Sequence, residues 1–342
     1  MLETGRIDCH VHYLASIFGD VLLERMAQQG PVNKLCAARP AWRDLSIHRR
    51  LMDQSDVAVS IIINDATLLG GLRGLGGSIN ETCEAYNRSL SEDLSTHDGH
   101  LIGAAIIDPF GGAEAVAQLE RSLALPTMGA VGLTTSYGDV CLDDPMFEPI
   151  FEVARQHNVP VMVHPGSTPE HWLKALRIEQ PQFLRSGIGY FLDDSLCVLR
   201  LILSGTLDKY SDVRFMFCQL GGLVSIMCGR WANQSASAKE LERELEIPAS
   251  PIFERSLGEY LSRIWLDMHT QDRHAIAMVI AEAGDSVLVL GGDHPWTVPE
   301  RGLPLQMAEL EALGVSEETK RKVERENALC LLGPNAEALL PR

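Results

Sequence analysis

The segment Asp8–His12 contains two histidines, His10 and His12, separated by one residue within an apolar run that is typical of a β-strand. Side chains at alternate positions of a strand point to the same side. His10 and His12 can therefore offer two imidazole nitrogens to one metal ion. Two unrelated strand histidines are about equally expected from this segment alone. The metal hypothesis therefore depends on further ligand-type residues elsewhere in the chain.

Two such residues follow other apolar runs. His164 ends the run VPVMVH, and Asp293 follows SVLVLGG. Taken singly, His164 could be a solvent-exposed strand end, and Asp293 a turn former. Together with His10 and His12, they make a set of three histidines and one carboxylate. Such a set suits Zn²⁺ first and Mn²⁺ second, with a position left for water or substrate.

The elements that must position these residues are short apolar strands alternating with helical segments. Helical spacing is clear, for example, in Glu81–Leu94 and Ala113–Leu123. Eight strands are predicted: Arg6–His12, Val57–Ile63, Leu101–Ile107, Ala130–Thr134, Val159–His164, Arg214–Cys218, Arg263–Met268 and Ser286–Leu290. Their apolar character predicts a parallel sheet buried on both faces and closed into a (β/α)₈ barrel. An open doubly wound sheet is the alternative, which the absence of a Gly-x-Gly-x-x-Gly turn after the first strand weakens.

We interpret residues 1–342 as one catalytic domain, because barrels of this length commonly form a single unit. Insertions near 166–190 and 235–258 are expected over the mouth of the barrel, where substrate selectivity is usually set. The glycine-rich segment 70–77 is predicted to be a mobile surface loop over the mouth. Active groups are expected at the carboxyl ends of the strands, where His164 and Asp293 lie.

Composition restricts the classes of partner. The net charge of −17 disfavours nucleic acid and anionic membranes. No apolar run approaches the roughly 20 residues of a membrane span, and the N-terminus has no leader-like pattern. Eight scattered cysteines without a Cys-x-x-Cys pair predict reduced thiols. These features predict a cytoplasmic enzyme with a small-molecule substrate.

The chain also resembles a known family. The runs RIDCHVHYL, NVPVMVHP, KYSDVRFMF and GGDHPW occur in the order and spacing of the amidohydrolase-2 family. Within it, the chain is most similar to the metal-dependent non-oxidative decarboxylases, the branch that includes aminocarboxymuconate semialdehyde decarboxylase. The resemblance covers nearly the whole chain and implies that His10, His12, His164 and Asp293 are the metal ligands. It also implies that Asp293 doubles as a general base or electrostatic partner.

The resemblance implies further roles and shows one departure. Arg230 matches an arginine that reaches across a dimer interface to a substrate carboxylate, so a homodimer is expected; a surface helix arginine is the alternative. Gln219 stands where the family has a histidine, and glutamine cannot transfer a proton near neutral pH. His269 is the candidate for the displaced role, with Gln219 kept as a hydrogen-bonding group. Trp172 and Trp296 are predicted to stack on a planar substrate.

Three functions remain open. The first is a non-oxidative decarboxylase of a small aromatic or muconate-like carboxylic acid. The second is a metal-dependent hydrolase or hydratase of a lactone, amide or unsaturated acid, which uses a metal-activated water. The third is a binding protein without catalysis, against which four ligand-type residues in an apolar barrel argue. The loss of the histidine at Gln219 favours the second function somewhat, since the glutamine could hydrogen-bond a substrate carbonyl.

Overall fold

The computed structural model describes residues 5–28, 30–64, 66–75, 77–166, 185–246, 255–269 and 272–335. Its strands, numbered in chain order, are β1 Arg6–Val11, β2 Val57–Ile62, β3 Leu101–Ile106, β4 Met128–Thr134, β5 Ser136–Tyr137, β6 Val140–Cys141, β7 Val161–His164, β8 Phe215–Phe217, β9 Trp265–Asp267 and β10 Leu288–Val289. All eight predicted strands are therefore present, with ends that differ by up to two residues. The additional strands β5 and β6 form a short antiparallel hairpin after β4.

The α-helices of the described part are α1 Gly19–Gln28, α2 Pro31–Ala37, α3 Leu45–Gln54, α4 Ala66–Arg73, α5 Ile79–Ser95, α6 Gly112–Leu123, α7 Glu148–His157, α8 Tyr190–Leu203, α9 Thr206–Lys209, α10 Cys228–Glu244, α11 Leu257–Leu261, α12 Arg273–Ala283, α13 Leu303–Leu313, α14 Glu317–Arg321 and α15 Asn327–Leu332. None of them combines the length and apolar character that a membrane crossing requires. Helices follow most barrel strands, as the alternating pattern predicted.

Eight strands form one parallel sheet in the order β1-β2-β3-β4-β7-β8-β9-β10. The sheet closes on itself because the segment after β10 pairs with β1, through bridges from Asp8 to Leu290 and from Val11 to His294. Backbone hydrogen bonds from Cys9 to Leu290 and from His12 to His294 complete the seam. The predicted (β/α)₈ barrel is confirmed, and the open sheet is excluded.

Two apolar clusters lie on the two sides of the barrel wall. The inner one fills the barrel with Ile7, Cys9, Met162, Met216 and other strand residues. The outer one lies between the strands and the helices. Burial on both sides explains why the strands are continuously apolar rather than alternating.

Strand β1 contains an irregularity that matters for the site. Asp8 pairs with Ser60 and Val11 with Ile62, so three steps along β1 match two along β2. Such a bulge re-aims the side chains that follow it. Cys9 faces the barrel interior, and the bulge directs His10 and His12, which follow it, to the mouth. Simple alternation along the strand would have placed Cys9 and His10 on opposite faces.

One expectation about a loop needs correction. Residues 70–73, at the start of the glycine-rich segment, belong to helix α4 rather than to a mobile loop. Leu68, Leu69 and Leu72 bury one face of that helix in the outer cluster, which outweighs the low helix propensity of its glycines. Within the region 235–258, the other expected insertion, α10 continues to Glu244 and α11 begins at Leu257. Most of the region 166–190 lies outside the described residues.

Candidate metal centre

His10 and His12 meet at the mouth of the barrel, where their Nε2 atoms are 3.2 Å apart. Both side chains are almost completely buried. His10 donates from Nδ1 to the Asp267 carboxylate at 2.7 Å, and His12 donates from Nδ1 to the carbonyl of Ile63 at 2.9 Å. An acceptor at Nδ1 fixes the tautomer whose Nε2 carries a lone pair. Both strand-one histidines are therefore oriented as ligands.

His164, the last residue of β7, lies beside the two histidines of β1. Its ring centroid is 5.2 Å from that of His10 and 5.1 Å from that of His12. Its Nδ1 atom lies 2.9 Å from the carbonyl oxygen of Pro165, so the same tautomer argument applies. The sequence prediction placed His164 beside the strand-one histidines, and the structure brings the three rings together.

Asp293 provides the carboxylate. Its Oδ1 atom is 3.0 Å from His12 Nε2 and 3.5 Å from His10 Nε2. Its Oδ2 atom accepts from the Thr297 hydroxyl at 3.0 Å and lies 3.1 Å from His269 Nε2. Burial favours a raised pKa for Asp293, but the neighbouring His269 and the close contacts of the carboxylate with His12 and His269 outweigh it and hold the pKa well below its usual range. Asp293 is thus an anion.

Two glycines allow Asp293 to reach this place. A Cβ atom on Gly292 would lie 2.5 Å from Asp8 Oδ2, and one on Gly291 would lie 2.9 Å from the side chain of Asp267. Both distances are too short for a real Cβ contact. The Asp8 carboxylate also accepts from Gly292 N at 2.8 Å and from His10 N at 3.1 Å, which ties β1 to the turn after β10. The motif GGDHPW therefore needs its glycines for close packing.

These residues fit a divalent cation. The ligand atoms of His10, His12 and Asp293 all lie within 4.8 Å of one another. Two imidazole lone pairs and a carboxylate oxygen converge at about 3 Å, and such a group of acceptors is stabilised by a cation among them. Imidazole and carboxylate are ligands of both zinc and manganese. His164 supplies a further imidazole beside the group.

Asp267 is a central residue that the sequence analysis missed. It is fully buried at the end of β9 and accepts from Gln219 N at 2.7 Å and from His269 N at 3.0 Å, in addition to His10. Burial opposes its ionisation, but the neighbouring His10 and these hydrogen bonds lower the pKa of Asp267. An acidic residue within the apolar run IWLDM was the available signal.

His269 and Gln219 both lie at the centre. Burial alone would lower the pKa of His269, but the adjacent Asp293 carboxylate outweighs it and raises the pKa. Gln219 is buried with a left-handed backbone, φ +54°, and the described residues give its Oε1 atom no hydrogen-bond partner. The structure thus puts a titratable histidine next to the Asp293 carboxylate and a non-titratable amide close by.

The predicted substrate-binding residues are dispersed. Arg230 is exposed on α10 and faces the side-chain amide of Gln234, 3.1 Å away, so it contacts no residue of the centre within the described chain. The ring of Trp296 packs edge-on against Trp42 at 5.3 Å, and Trp42 lies 5.9 Å from the His12 ring. Trp42, which the sequence analysis did not single out, is therefore the tryptophan next to the ligands. Trp172 lies outside the described residues.

Two arginines near α2 and α3 have structural partners. Arg39 donates to the carbonyl oxygens of Pro295 and Trp296, which anchors the loop after Asp293. Arg43 forms an ion pair with Asp20. Among the described residues, neither arginine contacts the candidate metal ligands.

A closed parallel (β/α)₈ barrel, with candidate histidine and aspartate ligands at or just after the carboxyl ends of β1, β7 and β10, is the arrangement of a barrel enzyme whose active site lies at that face. The family model "Amidohydrolase" matches residues 7–333, so the chain belongs to the amidohydrolase family. The resemblance noted in the sequence is confirmed.

Individual relatives are more distant. The chain is 23% identical over 259 residues to 2-amino-3-carboxymuconate-6-semialdehyde decarboxylase of Dictyostelium discoideum. The aligned region covers 74% of this chain and 67% of that relative. The fold is shared with 5-carboxyvanillate decarboxylase of Sphingomonas paucimobilis, with a TM-score of 0.77 at 17% identity over 96% of this chain and 99% of that one. It is also shared with dihydroxybenzoic acid decarboxylase of Polaromonas sp. JS666, solved with manganese and 2-nitroresorcinol, with a TM-score of 0.74 at 20% identity over 98% and 99% of the two chains.

Proposed function

We propose that this protein is a metal-dependent, non-oxidative decarboxylase of a small aromatic or muconate-like carboxylic acid. The observation that carries the proposal is the convergence of His10, His12 and Asp293 within 4.8 Å, with His269 3.1 Å from the same aspartate. The relatives and structural neighbours named above are decarboxylases of such acids, which supports the same reaction class.

We assign the metal ligands as His10, His12, His164 and Asp293. A bound divalent ion would supply positive charge for a substrate oxygen and for the negative charge that develops as CO₂ leaves. Zinc is the ion we expect, with manganese as the second choice. The manganese in the Polaromonas structure supports the second choice, and the histidine-rich ligand set is compatible with both.

His269 is assigned as the proton donor. When the bond between the carboxyl carbon and the substrate carbon breaks, its electron pair remains on the substrate carbon and CO₂ departs. That carbon then needs one proton, and an imidazolium beside Asp293 can supply it. Burial opposes protonation of His269, but the Asp293 carboxylate outweighs it and raises the pKa of His269, which favours the protonated imidazole that such a step requires. Gln219 holds or orients the substrate by hydrogen bonds, because an amide cannot exchange the proton.

A hydrolase or hydratase is the second candidate, and Gln219 is the observation that favours it. Its buried amide can donate to a substrate carbonyl, and Asp293 could accept a proton from an attacking water. The two functions differ in their products. The decarboxylase releases one CO₂ per substrate, whereas the hydrolase or hydratase adds water without loss of carbon.

We further propose a homodimer in which Arg230 of one protomer binds a substrate carboxylate in the other. Its exposed position on α10 and its lack of a carboxylate partner within the described chain support a role outside its own barrel. A guanidinium binds carboxylates in two-point geometry. Trp296, and Trp172 outside the described residues, remain candidates for stacking on the substrate. Activity that persists unchanged in a strictly monomeric preparation would contradict the dimer.

The test of the proposed function is the metal content of the purified protein, followed by product analysis. About one zinc or manganese ion per chain is expected, lost in His12→Ala. Aromatic and muconate acids are then screened for CO₂ release by the metal-loaded protein. Water addition without CO₂ would select the second candidate. A metal-free protein with neither activity would reject both.

A further inference from the structure

Cys218 lies directly beneath the metal centre. It follows β8, is completely buried, and belongs to the inner cluster that fills the barrel. Its Sγ atom, one ring nitrogen of His10 and one ring nitrogen of His164 all lie within 4.8 Å of one another. This is a second group of potential ligands, and it shares His10 with the group formed by His10, His12 and Asp293.

The surroundings of this thiol are polar on the side of the mouth. Burial and the nearby carboxylate of Asp267 raise the pKa of the Cys218 thiol well above its usual range. A divalent ion at the shared His10 reverses the sign of the local field and favours the thiolate. The remaining neighbours of Cys218 on the inner cluster are apolar, including Met162 and Met216.

A sulfur ligand matters because it changes the relative affinity of the site for zinc and manganese. Thiolate is a soft ligand that selects zinc, whereas carboxylate, carbonyl and water ligands suit manganese. A zinc ion bonds sulfur at about 2.3 Å and imidazole nitrogen at about 2.0–2.1 Å. At the ligand–metal–ligand angles of five-coordinate zinc, about 90–120°, these lengths place sulfur and nitrogen about 3.1–3.8 Å apart. From its present limit of 4.8 Å, the group around Cys218 would therefore have to close by at most about 1.0–1.7 Å.

We propose that Cys218 is a sulfur ligand of the metal ion and that it makes this centre prefer zinc over manganese. On binding, the thiol proton leaves to solvent and the thiolate sulfur donates an electron pair to the ion. The inference rests on the metal centre of the proposed function, but it concerns a residue outside the ligand set of three histidines and one aspartate.

X-ray absorption at the zinc edge of the zinc-loaded protein tests the proposal. One sulfur scatterer at about 2.3 Å is expected in the wild type and is lost in Cys218→Ser. Cobalt-substituted protein should show a thiolate-to-cobalt charge-transfer band in the near ultraviolet, also lost in Cys218→Ser. Cys197→Ser is the matched control, because Cys197 is equally buried but lies on α8 in the outer cluster. It should retain both signals.

Competition between zinc and manganese gives the second readout. The preference for zinc should weaken in Cys218→Ser and stay unchanged in Cys197→Ser. A wild-type centre with only nitrogen and oxygen ligands overturns the assignment of Cys218 while leaving the proposed decarboxylase intact. A wild type that binds no divalent ion, even after reconstitution, overturns both. If Cys218→Ser fails to fold, the wild-type absorption and cobalt spectra decide by themselves.

Discussion

Nδ1 of His10 and Oδ2 of Asp267 lie 2.7 Å apart, and both side chains are fully buried. The contact joins β1 to β9, two strands that are not neighbours in the barrel. Since the other oxygen of Asp267 accepts from the backbones of Gln219 and His269, one carboxylate positions a proposed ligand histidine, the turn at Gln219 and the proposed proton donor. Three parts of the centre therefore share one positioning residue.

Asp267→Asn should weaken metal binding by about 10- to 100-fold, the usual effect of removing the carboxylate behind a ligand histidine. All groups around Asp267 are donors, so the NH₂ of an asparagine would face one of them. Metal affinity can be measured by competition with a chelator. Asp208→Asn, which changes a partly exposed aspartate paired with Arg255 and Arg263, is the control and should bind metal normally. Equal affinities in the two variants would remove the positioning role.

His269→Asn should reduce turnover by about 10²- to 10⁴-fold, the typical contribution of a general acid or base. Because His269 is not one of the assigned ligands, the metal content should remain near that of the wild type. Steady-state kinetics together with metal analysis distinguishes these effects. His274→Asn, on the exposed side of α12, should leave turnover unchanged. Full activity in metal-loaded His269→Asn would show that another group delivers the proton.

Gly292→Ala should destabilise the protein by roughly 1–3 kcal/mol, as overpacking of a dense interior does. The new methyl group would lie 2.5 Å from the Asp8 carboxylate, so either the turn before Asp293 or strand β1 must move. Metal binding should weaken with it. Gly70→Ala is the matched control, because Gly70 is exposed in helix α4 and its Cβ would meet no atom within 4 Å.

The control should be as stable as the wild type or more stable by about 0.5–1 kcal/mol, since alanine favours helix. Denaturant unfolding of the metal-free proteins measures both changes. A Gly292→Ala variant with wild-type stability and metal affinity would contradict the prediction, because it would show that the turn accommodates a methyl group beside Asp8.

His48 should make the protein sensitive to acid. It is buried on α3, stacks on His294 with ring centroids 5.7 Å apart, and neither of its ring nitrogens has a hydrogen-bond partner in the described chain. Burial, with the nearby charges of His294, Arg49 and His97, lowers the pKa of His48 to about 3. The unfolded chain takes up this proton near pH 6.5, and the folded chain only near pH 3.

Protonation therefore favours unfolding, and stability is lost as the pH falls from about 6.5 towards 3, by roughly 1.4 kcal/mol for each pH unit. His48→Leu removes this contribution, so its stability relative to the wild type should rise as the pH is lowered from 7.5 to 5. The exposed His274→Leu should show no such trend. Parallel stability curves for wild type and His48→Leu would contradict the prediction.

The sequence predicted the barrel because its signals are local. Continuous apolar strands and intervening helical periodicity recur along the chain, and each is readable within a short window. His164 and Asp293 were identifiable because each stands at the end of an apolar strand, and the carboxyl ends of parallel barrel strands all open on one face. The glycine-rich segment was misread because burial of the leucines of α4, which depends on distant partners, outweighed a local propensity.

Contacts between distant strands were decided by the tertiary structure alone. Asp267 reaches His10 across 257 positions of sequence, and nothing local to either residue indicates the other. The bulge in β1 places both Cys9 and His10 towards the barrel axis, which strict alternation does not predict. Cys218 lies near His10 and His164 because closure of the barrel brings the ends of their three strands together. Residue type and position at a strand end thus identified the candidate ligands in the sequence. Closure of the barrel and the register of its strands decided which other groups hold those ligands in place.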